Sequence, residues 1–418
     1  MDTPEGVGFV TPPTMQPDLF DADDDPAIGH RFCRVSDVLH RANEPMQMVE
    51  ELLLAEEEPL SFADAGPHEF WRRAMLDELA SIKENDIWTL TNLPAGQARP
   101  LVGMYVDDLV VTGADAKAIH GFKSEMMGRF CMSDLGLLSF YLGIEVKQGA
   151  GEIILSQAAY ASELLERAGM ADCNPVHVPM EPRLKLSKEG PKPRVGATHY
   201  RSIIGGLRYL THTRPDITFA VGYVSRFMEA PTTVHLAAVK HLLCYIAGTR
   251  KYGCRYVKRG DDKLIGYSDS DLASDVDDRK STLGNLFFLG GAPITWQSQK
   301  QKIVALSSCE AEYVAATTAA YQAIWLSRIM RDLLKEEAGA TTILIDNKSA
   351  IQLCKNPVFH DRSKNIDVRF HFIRKCVEEG KIRVEHIATG DQLADIFTKS
   401  LGRTRFQQLR ARIGMVEV

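Results

Sequence analysis

The chain has 418 residues, of which 45% are hydrophobic and 25% are charged, a balance typical of a soluble globular protein with two or three domains. It contains no apolar run of about 18 residues and no basic, then apolar start, so we expect neither a membrane span nor a secretory signal but an intracellular location, cytoplasmic or nuclear. The eight cysteines form no CxxC pair, which argues against a zinc ribbon, a thioredoxin-like site or a disulfide framework.

The net charge of −6 averages two different regions. Residues 1–66 contain fifteen Asp/Glu and three Arg, a net charge of −12, so the remaining residues carry +6. Many prolines and few aromatic residues accompany these acids, a composition that cannot bury enough apolar surface to fold. We therefore predict a disordered acidic leader at 1–66. The mildly basic body permits a polyanionic partner without requiring one.

Residues 67–260 alternate helical and hairpin patterns. A helix is predicted from Glu69, and the strand pattern around Tyr105-Val-Asp-Asp108 predicts a hairpin with acids at its tip. Five prolines between 175 and 193 predict a loop. The other predicted elements are a helix near 116–130, strands at 141–146 and 152–155, and helices at 157–168, 199–211, 215–228 and 232–248.

From Lys263 onward the pattern changes to strands and helices of one layered domain. The predicted order is strands at 263–268, 285–289 and 294–298, a helix at 308–334, a strand at 341–345, helices at 347–355 and 363–379, a strand at 382–387 and a final helix from Asp391. This order predicts an α/β fold in which helices cover one mixed sheet.

Acidic residues lie at the ends of predicted strands and the starts of predicted helices in this domain. Asp269 and Asp271 follow the first strand, and Asp346 ends the strand at 341–345. A carboxylate at the end of a buried strand is costly unless it is paired, hydrogen-bonded or bound to a metal. Glu312 begins a stretch of small residues that would let the long helix pack closely on the sheet.

Two predicted capping boxes distinguish an acid that caps a helix from acids that have no local structural role. Ser307 followed by Glu310 gives Glu310 a local role at the helix start and leaves Glu312 without one. Thr389 with Gln392 predicts a second box, which leaves Asp395 inside the final helix, where Asp is a poor helix former.

Four of these acids have no local structural role: Asp269, Glu312, Asp346 and Asp395. If the four converge, divalent cations would relieve their repulsion. Oxygen ligands without His or Cys favour Mg²⁺ or Mn²⁺, and no small-molecule cofactor is indicated. Two such ions about 3.5 to 4 Å apart can hydrolyse a phosphodiester. Asp at strand ends and helix starts is also typical of caps and turns, so the spacing leaves a structural role open.

The C-terminal region contains motifs in a fixed order: Gly266-Tyr-Ser-Asp-Ser-Asp271, Asp278-Arg-Lys-Ser-Thr282, Trp296-Gln-Ser-Gln-Lys-Gln301, Ala305-Leu-Ser-Ser-Cys-Glu-Ala-Glu-Tyr-Val-Ala315, Asp346-Asn-Lys-Ser-Ala350 and Asp391-Gln-Leu-Ala-Asp-Ile-Phe-Thr-Lys399. Together they resemble the ribonuclease H domain of copia-type retrotransposon polyproteins. Upstream, Tyr105-Val-Asp-Asp-Leu109, Met132-Ser-Asp-Leu-Gly136 and Tyr141-Leu-Gly-Ile-Glu145 are similar to the reverse transcriptase of the same polyproteins. The resemblance implies a truncated reverse transcriptase at 67–260, a ribonuclease H-like domain at 261–402 and a basic tail at 403–418.

The resemblance also implies which residues act and on what. The family's nuclease residues match the same four acids, which implies two-metal hydrolysis of the RNA strand of an RNA–DNA hybrid, recognised by shape and 2′-hydroxyl contacts. A basic stretch, Lys240 to Lys263, lies between the two enzyme regions and also contains Tyr245, Tyr252 and Tyr256. It either contacts the hybrid or is a solvated connector. The basic tail is either an ordinary helix end with favourable dipole interactions or a contact to nucleic acid. The candidate nucleic-acid-binding residues of the stretch are Arg250, Lys251, Arg255, Lys258 and Arg259.

The polymerase part departs from the family. Its metal ligands are two hairpin aspartates, matched here by Asp107 and Asp108, and a third on an earlier palm strand. Only residues 97–104 separate Leu93-Pro-Ala-Gly96 from Tyr105, too few for a strand, a helix and a nucleotide pocket. We therefore expect Asp107 and Asp108 to bind at most one metal ion weakly, without polymerase activity.

A second interpretation is a non-catalytic product of a decayed element that at most binds nucleic acid. Loss of the fingers and most of the palm would expose apolar surfaces that normally pack against them. Cleavage of a hybrid with magnesium, compared with the same reaction in chelator, separates the two interpretations.

Overall fold

The computed structural model describes residues 8–11, 69, 72, 73, 76, 100–106, 108–130, 132–258, 263–334, 339–355 and 367–418. Residues Met1–Pro12 and Pro100–Val418 belong to one compact unit, and Pro13–Arg99 forms another. In the latter, the described residues 69, 72, 73 and 76 are helical, where a helix is predicted from Glu69. Two candidate residues, Asp107 and Arg259, lie outside the described residues.

The elements up to residue 257 include the predicted helices and strands, together with strands at 8–11, 133–137 and 252–257 that were not predicted. They are β1 (Gly8–Thr11), β2 (Leu101–Tyr105), β3 (Asp108–Thr112), α1 (Ala116–Arg129), β4 (Ser133–Leu137), β5 (Phe140–Tyr141), β6 (Ile144–Gly149), β7 (Glu152–Ser156), α2 (Ala158–Arg167), α3 (Ala197–Leu210), a 3-10 turn (Pro215–Ile217), α4 (Thr218–Ser225), α5 (Thr233–Ala247) and β8 (Tyr252–Val257).

The elements from residue 264 onward confirm the predicted strands and the long helix. They are β9 (Leu264–Ser270), β10 (Thr282–Leu289), β11 (Ala292–Lys300), α6 (Ser308–Leu334), β12 (Thr341–Ile345), α7 (Lys348–Lys355), α8 (Asp367–Glu378), β13 (Ile382–His386), 3-10 turns at Thr389–Asp391 and Leu393–Phe397, α9 (Arg403–Arg412) and β14 (Met415–Glu417). Among the described helices, none is both long and apolar enough to cross a membrane.

The hairpin predicted around Tyr105 joins a small antiparallel sheet of order β2-β3-β1-β4. Tyr105 pairs with Asp108 at the turn, and β1 pairs with β3 on the other side. Strand β1 comes from the acidic leader, where the composition predicts no structure; the rest of the leader lies outside the described residues.

A second sheet, of order β14-β8-β7-β6-β5, contains two strands that the sequence patterns did not predict. Strand β8 lies in the basic stretch and β14 in the basic tail, and they pair through Met415 and Cys254. Charged and glycine residues interrupt the alternation in β8, so its strand character depends on its neighbours in the sheet.

The third sheet has the order β11-β10-β9-β12-β13. Strands β9, β10 and β11 form an antiparallel meander, whereas β12 pairs in parallel with both β9 and β13. Because helices connect the parallel strands, the result is the mixed α/β sheet that the element order predicts.

Two hydrophobic cores lie on either side of this sheet. One is formed mainly by α2 to α5 and includes Leu286 and Phe288 of β10. The other holds α6 against the sheet through four fully buried alanines, as the small-residue pattern predicts. The first core joins residues from both sides of position 260, and the predicted domain limits remain predictions. The four alanines are Ala316, Ala319, Ala320 and Ala323.

The prediction of a final helix from Asp391 is wrong. Two 3-10 turns occupy 389–397, and the helix α9 begins only at Arg403. The predicted Thr389–Gln392 capping box is also absent, because the Gln392 side chain accepts from Ala394 N and donates to the Ser268 carbonyl. Gln392 therefore attaches the turn to β9 instead of starting a helix.

Candidate active site

Three of the four predicted acids meet at one edge of the third sheet. Each of Asp269, Glu312 and Asp346 offers a carboxylate oxygen, and these oxygens lie within 4.8 Å of one another. Asp269 and Glu312 are buried, whereas Asp346 is half-buried. Among the described residues, these three acids form the one group of three or more His, Cys, Asp or Glu side chains that could hold a metal ion.

The sheet register brings Asp269 and Asp346 together. Strands β9 and β12 run in parallel, with Tyr267 opposite Leu344. Asp269 and Asp346 each lie two residues beyond that pair, and the carboxyl ends of adjacent parallel strands meet at one edge. Residues far apart in the chain are thus neighbours because of strand pairing.

Helix α6 supplies the third acid close to its start. The predicted cap is confirmed in part, since Ser307 Oγ accepts from Glu310 N at 3.2 Å. The Glu310 carboxylate accepts from Leu306 N at 2.8 Å, one residue earlier than the predicted partner. Glu310 therefore caps the helix, and Glu312, two residues on, is left to face the sheet edge.

The burial of Glu312 is poorly compensated. Its Oε1 accepts one hydrogen bond, from Ser270 N at 3.3 Å, and its buried Oε2 receives none from the described residues. Burial, with repulsion from Asp269 and Asp346, raises the pKa of Glu312 well above its ordinary value. A buried carboxylate with an unused oxygen beside two further acids is what a cation would stabilise.

Asp269 is the most enclosed member of the group and has partners that Glu312 lacks. Its Oδ2 accepts a short hydrogen bond from Thr398 Oγ1 and lies 3.5 Å from Lys399 Nζ. Burial raises the pKa of Asp269 and Asp395 raises it further, so the net direction is upward even though Lys399 opposes both.

Asp395 lies beside the group, but its own contacts are with cations. Its Oδ1 is 2.7 Å from Lys399 Nζ and its Oδ2 is 3.1 Å from Arg405. Burial lowers the pKa of Lys399, but the carboxylates of Asp269 and Asp395 outweigh this and the net pKa is raised, which keeps the ammonium charged. Asp395 thus lies beside the group of three acids, and its role as a fourth metal ligand stays a prediction.

Three residues of this site were not predicted from the sequence: Thr398, Lys399 and Arg405. Lys399 follows Asp395 by four positions, the spacing of an ion pair within one helical turn, which was the available signal. Arg405 fixes the turn by donating to the carbonyls of Thr389 and Gly390 as well as to Asp395. Its partners are distant in sequence, and no local pattern indicates them.

Close packing holds these turns against β10. A side chain at Gly284 would put its Cβ 2.8 Å from Phe397 Cβ and 2.8 Å from Thr398 Cγ2. The absence of a side chain at Gly284 thus lets Thr398 approach Asp269 across the sheet edge.

Asp271, which also follows β9, accepts hydrogen bonds within the loop that it begins. Its Oδ1 accepts from the backbone of Thr282 and Ser274, and its Oδ2 accepts from Ser274 Oγ at 2.5 Å. These hydrogen bonds fix the loop between β9 and β10, and Asp271 is not part of the group of three acids.

The described residues of 67–260 include no comparable group of acids. Asp108 is half-buried at the start of β3, and Asp107 lies outside the described residues. Within the described part of the chain, no cluster of three or more ligating residues includes Asp108.

The basic stretch presents cations but fewer aromatic faces than its sequence suggests. Arg250, Lys251, Arg255 and Lys258 are exposed, whereas Tyr245 is fully buried. The Tyr245 hydroxyl donates to Asp216 at 2.6 Å, so it cannot stack on a base.

Three of the four arginines of the basic tail, Arg405, Arg410 and Arg412, are paired within the chain. Arg410 donates to the hydroxyls of Tyr245 and Tyr252, at 2.9 and 3.3 Å, and Arg412 lies 3.0 Å from Asp391. With Arg405 bound to Asp395, these pairs favour the structural alternative for the tail.

Comparison with known proteins gives a consistent picture. The family described as "Reverse transcriptase (RNA-dependent DNA polymerase)" matches residues 70–182. The Retrovirus-related Pol polyprotein from transposon RE1 of Arabidopsis thaliana is 42% identical over 327 residues, covering 78% of this chain and 22% of that protein. A putative transposon Ty5-1 protein of Saccharomyces cerevisiae is 32% identical over 229 residues, covering 52% of this chain and 71% of that protein.

Among solved structures, LC11-RNase H1 in complex with an RNA/DNA hybrid covers 32% of this chain and 94% of its own length, at 16% identity and a TM-score of 0.26. The family assignment rests on the sequence relatives. The chain spans about a fifth of the length of the curated Pol polyprotein it matches. It contains a region that matches a reverse transcriptase family, and it belongs to the family of copia-type retrotransposon Pol polyproteins.

Proposed function

We propose that the region at 261–402 is a ribonuclease H that hydrolyses the RNA strand of RNA–DNA hybrids. The observation that carries this proposal is the group of Asp269, Glu312 and Asp346, whose carboxylate oxygens approach within 4.8 Å. A fold does not by itself keep three acids at one sheet edge, because their repulsion and burial are destabilising.

The residues present fit Mg²⁺ or Mn²⁺. The ligands are all oxygens, one of them the buried Glu312 Oε2 that receives no hydrogen bond from the described residues. Bound there, a divalent cation would lower the pKa of a water molecule and stabilise the leaving oxygen of a phosphodiester. Two ions of this kind, with Asp395 as a fourth ligand, remain the mechanism that the family resemblance implies.

The chain's own residues have separable tasks in this scheme. Thr398 orients Asp269 through its hydroxyl, and Ser270 N orients Glu312. Arg405 holds Asp395 in place, while Lys399 neutralises part of the charge of the acids until substrate arrives. Each task concerns position or charge, which a rigid sheet edge can maintain.

The hybrid would be held by exposed cations of the basic stretch: Arg250, Lys251, Arg255 and Lys258, with Arg259 as a further candidate by sequence. Cations at phosphates give affinity without sequence preference, which suits a substrate recognised by shape.

We propose no polymerase activity for this chain. Residues 97–104 leave no room for the third palm aspartate and the nucleotide pocket, and no group of three or more ligating side chains among the described residues includes Asp108. Primer extension on an RNA template with magnesium should give no incorporation; template-dependent products would overturn this part of the proposal.

The nuclease proposal is tested by cleavage of a labelled RNA–DNA hybrid with the full chain. We expect cleavage with Mg²⁺, none in chelator, and a loss of at least about 100-fold in Asp346→Asn, because one ligand of the cation is gone. Asp172→Asn removes the same charge from an exposed position and serves as the matched control. Equal cleavage by Asp346→Asn and the control would refute the assignment.

The second candidate, a non-catalytic product of a decayed element, is favoured by one observation. Strand β2 and the following residue expose several large apolar side chains, as expected where partner surfaces are missing. Full binding of hybrid without any metal-dependent cleavage would support this candidate. The exposed residues are Leu101, Val102, Met104, Tyr105 and Val106.

A further inference from the structure

Lys399 stands between two acids of the proposed active site. Its Nζ is 2.7 Å from Asp395 Oδ1 and 3.5 Å from Asp269 Oδ2. A cation that bridges these two carboxylates would have to occupy the same space. The side chain of Lys399 is 42% exposed, whereas those of Asp269 and Asp395 are 2% and 6% exposed, so the lysine reaches into the site from its mouth.

Both carboxylate oxygens of Asp395 already contact a cation. Oδ1 contacts Lys399, and Oδ2 contacts Arg405 at 3.1 Å. Arg405 is also held by the carbonyls of Gly390 and Thr389, so its position is fixed by the turn. The Lys399 ammonium is held by the two carboxylates alone within the described part of the chain, so it is the partner that can leave.

The formal charges of the site also indicate that a second divalent ion competes with Lys399. Acids must be ionised to bind a cation, and four ionised acids with Lys399 and Arg405 give the site a charge of about −2, which one divalent cation balances. A second ion would make the site positive unless Lys399 moved away or a phosphate of the substrate supplied negative charge.

We infer that Lys399 occupies the place of a second divalent cation, so that without nucleic acid the chain binds one ion, at Asp269, Glu312 and Asp346, and a second ion must displace the ammonium from Asp395. This inference rests on the proposed nuclease function. It adds that the two sites differ in their affinity for the divalent cation, and that Lys399 causes the difference.

The test measures metal binding without substrate or turnover. Titration of the full chain with Mn²⁺, with free Mn²⁺ followed by electron paramagnetic resonance, should give one bound ion per wild-type chain. Lys399→Met should bind two Mn²⁺ ions, because the competing ammonium charge is removed. Its second ion should bind at least about tenfold more tightly than a second ion binds to the wild type. Lys399→Arg keeps the charge and should bind one.

Two more variants separate the possible failures. Lys117→Met removes the charge of an exposed lysine on α1 and should leave one bound ion. Lys399→Met combined with Asp395→Asn should lose the second ion again. A wild type that binds two ions as tightly as Lys399→Met, or a Lys399→Met that still binds one, overturns the inference alone. Absence of the first ion would instead refute the metal site of the proposed function.

Discussion

The molecule contains two buried charge clusters that are built in opposite ways. In one, Arg214 forms a two-bond ion pair with Asp216, and Tyr245 and Thr249 complete the hydrogen bonds. In the other, Asp269, Glu312 and Asp346 share an edge with too few donors. The fold itself supplies the partners of the first cluster, whereas in the second Glu312 Oε2 has no hydrogen-bond donor among the described residues.

The pKa directions express the same contrast. Burial raises the pKa of Asp216, but the Arg214 guanidinium outweighs burial and the net pKa lies below its usual range. For Glu312, burial and neighbouring acids act in the same direction and raise the pKa. Folding therefore favours the charged form of Asp216 and the neutral form of Glu312.

Breaking the satisfied cluster should give the largest effect. Arg214→Met leaves Asp216 buried without its cation and should lower the free energy of unfolding by about 3 to 5 kcal/mol, measured by urea denaturation. The charge of Asp216 stabilises the fold above its unfolded pKa, and this contribution is lost as pH falls through the lower folded pKa.

The matched control for that prediction is the double variant Arg214→Met with Asp216→Leu. With both charges removed, no unpaired ion remains, and a substantial part of the lost stability should return. If the single variant is as stable as the wild type, Asp216 does not depend on Arg214 and the contrast between the clusters fails.

Removing an acid from the cluster of Asp269, Glu312 and Asp346 should instead raise the free energy of unfolding. Glu312→Gln removes one repelling acid, so we expect about 1 kcal/mol more stability in chelator, together with at least about 100-fold less hybrid cleavage. In the wild type, the raised folded pKa of Glu312 makes stability fall as pH rises above its unfolded pKa, until the folded pKa is reached.

Chemical denaturation at several pH values, with and without Mg²⁺, measures this slope. Mg²⁺ should offset the loss because it binds the folded state. Glu310→Gln, which alters the neighbouring cap acid, is the control and should leave the pH slope in place. If the stability of the wild type in chelator does not fall between the unfolded and the folded pKa of Glu312, the prediction that the folded pKa of Glu312 is raised is wrong.

The smallest effects are expected at the exposed basic stretch. Arg255→Gln with Lys258→Gln should weaken hybrid binding in chelator and reduce the salt dependence of log Kd by roughly one for each phosphate that these side chains no longer bind. Fluorescence anisotropy between about 50 and 200 mM salt measures both. An unchanged slope would mean that this stretch is a solvated connector.

Local chemistry in the sequence determined much of the fold. The order of strands and helices in the third sheet, the alanine face of α6 and the role of Glu310 as a cap follow from residues within one or two helical turns. Asp269, Glu312 and Asp346 were also identifiable, because strand ends and helix starts are marked in the sequence.

Tertiary structure alone decided which partners these residues have. Asp269 contacts Thr398 and Lys399, and Gln392 attaches the following turn to β9, contacts that join positions more than a hundred residues apart. Asp395 has the same residue type as Asp346, yet it pairs with Lys399 and Arg405. Sequence patterns report periodicity and nearby capping, whereas the choice between a metal ion and an ammonium depends on distances that only packing sets.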